Sequence, residues 1–422
     1  MKNKKEYFQL DGGGIIYPYI ASDDWNQQFR TEVELDAPVD IARLRRALEI
    51  VRPRFPSFFV VLAKRGREYV LERTEKLPEI VPETGLCKPF DLTNRDHALF
   101  RLTYAENRLG MEVFHSLADG AGANVLFINL LAEYYALTGE PVDRAHPVFA
   151  HGGEYEAADT EDSFRRVHNE LGGRTQKRTE TKAYQYNGGR AEIPLRLTVF
   201  DLPVPELKNA AKACGASITV FLVAVYTKAL ARACLADGKR ANSRNIKIEV
   251  PMDMRKRFGS ETLRNFSLYF NTEAPADCAE KPLPEIVELL KPQFAAGTDV
   301  GKLQNDIYTN VSQEELPIFK LLPIGLKRKF LRFGNIMFGE RLFTSPFSNV
   351  GIFDLPPELV GHVRVVNMMI SKTRLNTLYS TTLSYRGNLA WSLTSVAAKH
   401  DAEDFVAEIL TEAGVPFGRT ER

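Results

Sequence analysis

Apolar and polar positions along the chain change period repeatedly, and the changes mark an alternation of strands and helices. From Phe29 to Leu35 apolar and charged residues alternate, the period of a half-buried strand. Over 39–56 the period lengthens: Ile41, Leu44, Leu48 and Val51 share one helical face, and Pro53 and Pro56 stop it. Segments 58–64 and 68–73 predict a hairpin around Arg65, Gly66 and Arg67, and 97–106 with 108–114 predict a second strand pair turning near Asn107. The stretch His115 to Gly120 follows, then an apolar helix over 121–139. The pattern breaks over 151–191, where glycine pairs at 152–153, 172–173 and 188–189 among mixed charges predict a linker or loosely packed crossover. Alternation then resumes: a strand at 194–203, helices at 205–215 and 218–236, strands at 245–254 and 265–274, and two or three helices within 283–338. Strands near 347–353, 363–370, 378–385 and 389–396 and a helix over 402–413 complete the chain. The expected fold class is α/β, an α+β sandwich of two strand-rich lobes that is not Rossmann-like. The first lobe is expected over 1–170, a linker over 171–190 and the second lobe over 191–422.

Composition narrows the function classes. With 422 residues, 44% hydrophobic and 26% charged, the chain is of ordinary globular type and long enough for roughly two or three domains. The 55 Lys+Arg against 54 Asp+Glu argue against a dedicated nucleic-acid binder, which carries a basic excess. Four cysteines with no CxxC pair predict unpaired thiols in a reducing cytoplasm. The basic N-terminus leads into no apolar core segment, and no run of about 18 uncharged apolar residues occurs, so neither a signal peptide nor a spanning helix is expected. A cytoplasmic monomer is the expectation. The neutral total hides one imbalance: 320–341 carries six basic residues and a single acid, Glu340, interleaved with Leu, Ile and Phe. That composition fits a helix with a solvated basic face, a peripheral lipid contact, or a contact to an anionic ligand.

Candidate chemistry concentrates in one place. Gly12-Gly13-Gly14 lacks the GxGxxG spacing and follows no predicted strand, so it reads as a flexible turn, and GASIT at 215–219 fails the GxSxG pattern. His115-Ser116-Leu117-Ala118-Asp119-Gly120 is different, because it puts an imidazole between a predicted strand end and a helix start. There a neutral His can be held rigidly and can take a proton from an alcohol or amine near neutral pH. A metal reading fails for want of a third ligand nearby, so no metal is expected.

The strand, HxxxDG and helix arrangement, with PxDxR at 251–255 downstream, resembles the CoA-dependent acyltransferase superfamily of chloramphenicol acetyltransferase-like and condensation-domain folds. Segments 15–35, 38–58, 250–270 and SNVG at 348–351 look like its alcohol acetyltransferase-like branch. The resemblance implies two lobes with a tunnel between them and an acyl group moved from acyl-CoA to a small-molecule alcohol, with His115 as general base. It implies that Asp119 pairs with Arg255 as a structural ion pair rather than orienting the imidazole. Ser348 and Asn349 are implied as catalytic donors to the oxyanion, though SNVG also reads as a plain turn, and Phe114, Gly120 and Gly122 as residues beside the substrate. No permanently bound cofactor is implied; the donor substrate is acyl-CoA or carrier-protein phosphopantetheine. Most relatives carry a second His where this chain has Phe114. That departure leaves two alternatives open: a freestanding condensation-like enzyme served by an acyl carrier protein and forming an ester or amide, and a non-catalytic protein that binds an acyl chain or a partner.

Overall fold

The computed structural model describes residues 6–22, 27–152, 157–177, 179–189, 194–238 and 244–422. Residues 23–26 of the opening motif, and Gly153 of the first glycine pair, lie outside the described residues. Three sheets organise the rest. A five-stranded sheet runs in the order Val363–Ile370, Gln28–Leu35, Arg108–Phe114, Phe100–Ala105 and Glu79–Pro82. A seven-stranded sheet runs Ser267–Ala274, Ile246–Asp253, Ser345–Ile352, Leu378–Tyr385, Asn388–Ser395, Arg196–Pro203 and Gly418–Glu421. Tyr7–Gln9 extends the expected hairpin of Val60–Arg65 and Glu68–Arg73 into a small third sheet.

Two apolar cores match the two large sheets. The helices Ile41–Val51 and Gly120–Ala136 bury Leu44, Leu48, Leu126 and Leu130 with Phe29, Val33 and Met111 of the first sheet. Asp40 caps the first of these helices through the Arg43 N–H at 3.0 Å, satisfying one of its free donors. The helix Ile218–Ala236 is long and apolar enough by composition to cross a membrane, with a mean hydropathy of 1.7 in its best window. Here it is the centre of the second core, packed among Phe200, Ile248, Phe347 and Trp391.

Three differences from the sequence expectation have physical causes. The strand Gln28–Leu35 is buried on both faces instead of one, because Arg30 and Glu32 on its charged side sit in an ion cluster with Glu112, and the C-terminal Arg422 reaches Glu32 at 2.7 Å. Charged residues on a strand are buried when each finds an opposite partner. The stretch 151–191 contains a packed helix, Ser163–Leu171, whose Phe164 and Val167 join Met254, Phe266, Leu303 and Ile307 in a separate apolar cluster. Finally, Val363–Ile370 leaves the second half of the chain and pairs antiparallel with Gln28–Leu35, so the two halves share a sheet.

Candidate active site

The strand Arg108–Phe114 and the helix Gly120–Ala136 are joined by a short loop that carries His115, which meets Asn265 from the second half of the chain. Its ring lies on Tyr17 at a centroid distance of 4.8 Å and meets the edge of Phe29 at 5.2 Å. Nδ1 lies 3.1 Å from Oδ1 of Asn265. The orientation of that amide follows from its other contacts: Nδ2 donates to the His115 carbonyl oxygen at 3.0 Å, which can only accept, and to Asp11 Oδ2 at 3.4 Å. Oδ1 therefore faces the imidazole, Nδ1 carries the proton, and Nε2 keeps its lone pair. Burial pushes the His115 pKa below the ordinary imidazole value, against the opposing pull of its own backbone carbonyl, Asp119 and Asn265. Part of the side chain stays accessible. The imidazole is thus held at Nδ1, and no hydrogen bond to Nε2 occurs among the described residues.

Behind Asn265 lies a buried carboxylate. Asp11 accepts from the Gly14 N–H at 2.5 Å, and Arg264 Nε lies 3.4 Å from it. Burial raises its pKa to about 6, with Arg264 acting in the opposite direction. The triple glycine, expected as a flexible turn, is a close-packed loop against this network: a Cβ on Gly13 would lie 2.7 Å from Cβ of Asn265. Ser116 locks the loop by donating to the Gly14 carbonyl oxygen at 2.9 Å. Sequence reasoning missed Asn265, Asp11 and Tyr17. The one signal was the conjunction of an acid with three glycines just before the 15–35 segment; nothing in spacing ties position 265 to position 115.

Asp119 and Arg255 meet as a two-pronged pair, Nη1 to Oδ2 at 3.0 Å and Nη2 to Oδ1 at 2.9 Å. Asp119 also caps the helix it precedes through the Gly122 N–H and accepts from the Phe266 N–H, so its oxygens face donors from both halves of the chain. Burial alone would raise its pKa, but Arg255 and these N–H groups more than reverse that and lower it. Arg255 uses its remaining donors on the carbonyl oxygens of Thr262 and Arg264 and on the Asp253 carboxylate. Asp119 thus turns away from the imidazole and ties the His115 loop to the loop that carries Asn265.

The remaining sequence candidates fall in different places. Ser348 and Asn349 lie in the strand Ser345–Ile352, which carries a bulge after Asn349. The Asn349 amide bridges Thr219 Oγ1 and the Gly351 N–H, at 2.9 and 3.0 Å. The Ser348 hydroxyl has no side-chain hydrogen bond among the described residues. Val350, next in line, sits 3.4 Å from where a Cβ on Gly120 would project, which brings this bulge beside the His115 loop. Phe114 requires a correction. The expected contact to substrate is ruled out by its burial, 0% exposed, with its ring against Phe90 inside the first core. Gly122 likewise admits protein rather than ligand: a Cβ there would lie 2.0 Å from the Leu263 carbonyl oxygen. Gly120 makes room for the Met368 side chain. One further carboxyl, Glu249, has its pKa raised to about 8, chiefly by burial and then by Glu180 and Glu340.

The chain has the two-lobed chloramphenicol acetyltransferase-like fold, shared with TRI101 and with a starter condensation domain. TRI101 of F. sporotrichioides, solved with coenzyme A and T-2, superposes with a TM-score of 0.64 at 11% identity, over 98% of this chain and 99% of that one. Polyketide synthase associated protein 5 of Mycobacterium tuberculosis superposes with a TM-score of 0.54 at 15% identity, over 94% and 98%. The epimerization domain of the third module of tyrocidine synthetase B does so with a TM-score of 0.57 at 14% identity, over 97% and 95%. Identities this low express a common fold. No family model matches the sequence, and no curated protein matches it.

Proposed function

We propose that the protein is an acyltransferase that moves an acyl group from acyl-CoA to the hydroxyl of a small-molecule alcohol, with His115 as general base. The observation that carries the reading is the geometry of the imidazole: Nδ1 is engaged by Asn265, which leaves Nε2 to accept a proton, and burial lowers the ring's pKa, which favours the neutral form. In the proposed step Nε2 takes the acceptor's O–H proton as the oxygen attacks the thioester carbonyl. The new C–O bond forms, the carbonyl π pair moves onto oxygen, and collapse of the tetrahedral intermediate breaks the C–S bond. The imidazolium then returns its proton to the departing thiolate, so no other reagent is consumed. The Ser348 hydroxyl, lacking a side-chain partner beside the His115 loop, is the proposed donor to the oxyanion. One such donor is commonly worth about 3–4 kcal/mol in the transition state. The Asn349 amide, already bridging Thr219 and Gly351, has less freedom for the task.

Two solved neighbours support a thioester donor: TRI101 was captured with coenzyme A, and the starter condensation domain of rhizomide synthetase RzmA was captured with C8-CoA and Leu-SNAC. Carrier-protein phosphopantetheine therefore remains the second donor to assay. The non-catalytic reading rests on Phe114, which lies in the core, and tight ligand binding with no turnover on any thioester would favour it. Purified protein incubated with acetyl-CoA and a panel of alcohols is expected to release free thiol in an alcohol-dependent manner, and His115→Ala to lose that release. Equal release by the two proteins would sink the assignment. Turnover with a loaded carrier protein alone would move it to the condensation-like alternative.

A further inference from the structure

The helix Ile324–Phe338 packs Ile324 and Leu331 on the first core but carries a second apolar set on its other side. Leu326, Phe330 and Phe333, spaced by four and three residues, form one stripe, and that stripe points outward: Phe330 is 61% and Phe333 63% exposed. Phe338 at its end, and Ile318 and Leu321 on the preceding helix Pro317–Leu321, are also 64–69% exposed. The basic residues, expected to form the solvated face, largely turn inward and tether the helix. Lys327 is buried and donates to the Arg67 carbonyl oxygen at 2.9 Å, Arg328 donates to that of Ala21 at 3.0 Å, and Arg332 reaches the same oxygen. Lys320 and Lys329 stay exposed at the rim of the apolar surface. From 316 to 338 the chain has five cations and no acid.

From this arrangement we infer that the outward face of 316–338 docks onto an anionic phospholipid bilayer. Three aromatic rings and several aliphatic side chains can enter the headgroup region while Lys320 and Lys329 meet lipid phosphates, the combination that holds interfacial helices on membranes. Charge selects this occupant over a second copy of the chain. A two-fold contact through the same face would set Lys320 and Lys329 of one copy against the same cations of the other, with no acid from 316 to 338 to offset them. The location gives docking a consequence for the site. The helix packs on the segment Tyr17–Ile20, and Tyr17 is the ring that stacks on His115. A docked molecule therefore holds the wall of its candidate site one layer from the bilayer.

The test is flotation of the full chain with vesicles of phosphatidylcholine alone or mixed with phosphatidylglycerol, without donor or acceptor, so that its result is independent of acyl transfer. Wild type is expected to partition onto the phosphatidylglycerol vesicles about tenfold or more better than onto phosphatidylcholine, and less well as salt is raised. The double variant Phe330→Ser/Phe333→Ser should lose about tenfold or more of that binding. Lys320→Glu/Lys329→Glu should lose the preference for anionic lipid. Both alter exposed side chains, and unchanged circular dichroism verifies that they fold. Failure of wild type to float, or equal flotation of wild type and both variants, overturns the inference. So does a concentration-dependent dimer that the Phe variant dissolves, which assigns the face to a second copy, or binding to an acidic polypeptide but not to vesicles.

Discussion

His115 Nδ1 faces Asn265 Oδ1 at 3.1 Å across 150 residues of sequence, and Asn265 is itself held by Asp11 and by the histidine's own carbonyl. An amide in this place fixes the tautomer as a carboxylate would, without adding a charge that favours the imidazolium. Asn265 acts through His115 and is a positioning residue. Asn265→Ala should lower kcat by about ten- to a hundredfold with KM little changed, since general-base assistance is itself worth about 10²–10⁴. Asn265→Asp should instead move the acid limb of the rate profile to higher pH, because a carboxylate beside Nδ1 stabilises the charged ring. A merely structural role would leave that limb where it is.

The lowered His115 pKa sets a pH window. An ordinary imidazole titrates near 6.5, so the acid limb of kcat/KM is expected below that value, with the rate flat through neutrality. The stability sign agrees: the unfolded chain protonates its histidine first as pH falls, so folded stability declines between 6.5 and the lower folded value. A limb above 6.5 that disappears in His115→Ala variants of residual activity would contradict this.

Arg255→Ala leaves Asp119 buried without its counterion and should cost about 3–5 kcal/mol of stability, read by chemical denaturation. Arg255→Lys keeps the charge but not the two-pronged geometry, and an intermediate loss is expected. Because the Asp119 pKa is lowered, its stabilising contribution is present above the unfolded carboxyl value of 3.8 and is lost as pH falls through the lower folded value.

The two glycines after Asp119 should respond unequally. Gly122→Ala drives a methyl into a backbone carbonyl 2.0 Å away and should cost on the order of 1–3 kcal/mol or more. Gly120→Ala meets only the flexible end of Met368, and a much smaller shift in thermal midpoint is expected.

Phe114→His supplies the second histidine that the resemblance leads one to expect, but it puts an imidazole into an apolar core. The expected outcome is a loss of about 1–3 kcal/mol with no gain in turnover. A gain in rate without loss of stability would return position 114 to the site.

Much of the fold was legible because it is written in local periodicity. The strand at 29–35, the helix at 41–51 with Leu44, Leu48 and Val51 inward, and the hairpin turn at Gly66 all reappear, with ends shifted by a few residues. His115 and Asp119 stood out since their chemistry and spacing are contiguous. Asn265 did not, because a hydrogen-bond partner supplied by another lobe leaves no local trace. Phe114 was misread for the same reason: which way a side chain at a strand end points depends on what packs on either side.

The helix at 324–338 marks the division between the two kinds of information most sharply. Sequence determined that 316–338 carries five cations, no acid and an amphipathic period, since those are properties of the order of residues. Only the tertiary structure decided which face looks outward. The backbone carbonyls of Ala21 and Arg67, placed by a distant part of the chain, offer better partners to Arg328, Arg332 and Lys327 than water does, and the rotation that satisfies them leaves Phe330 and Phe333 exposed.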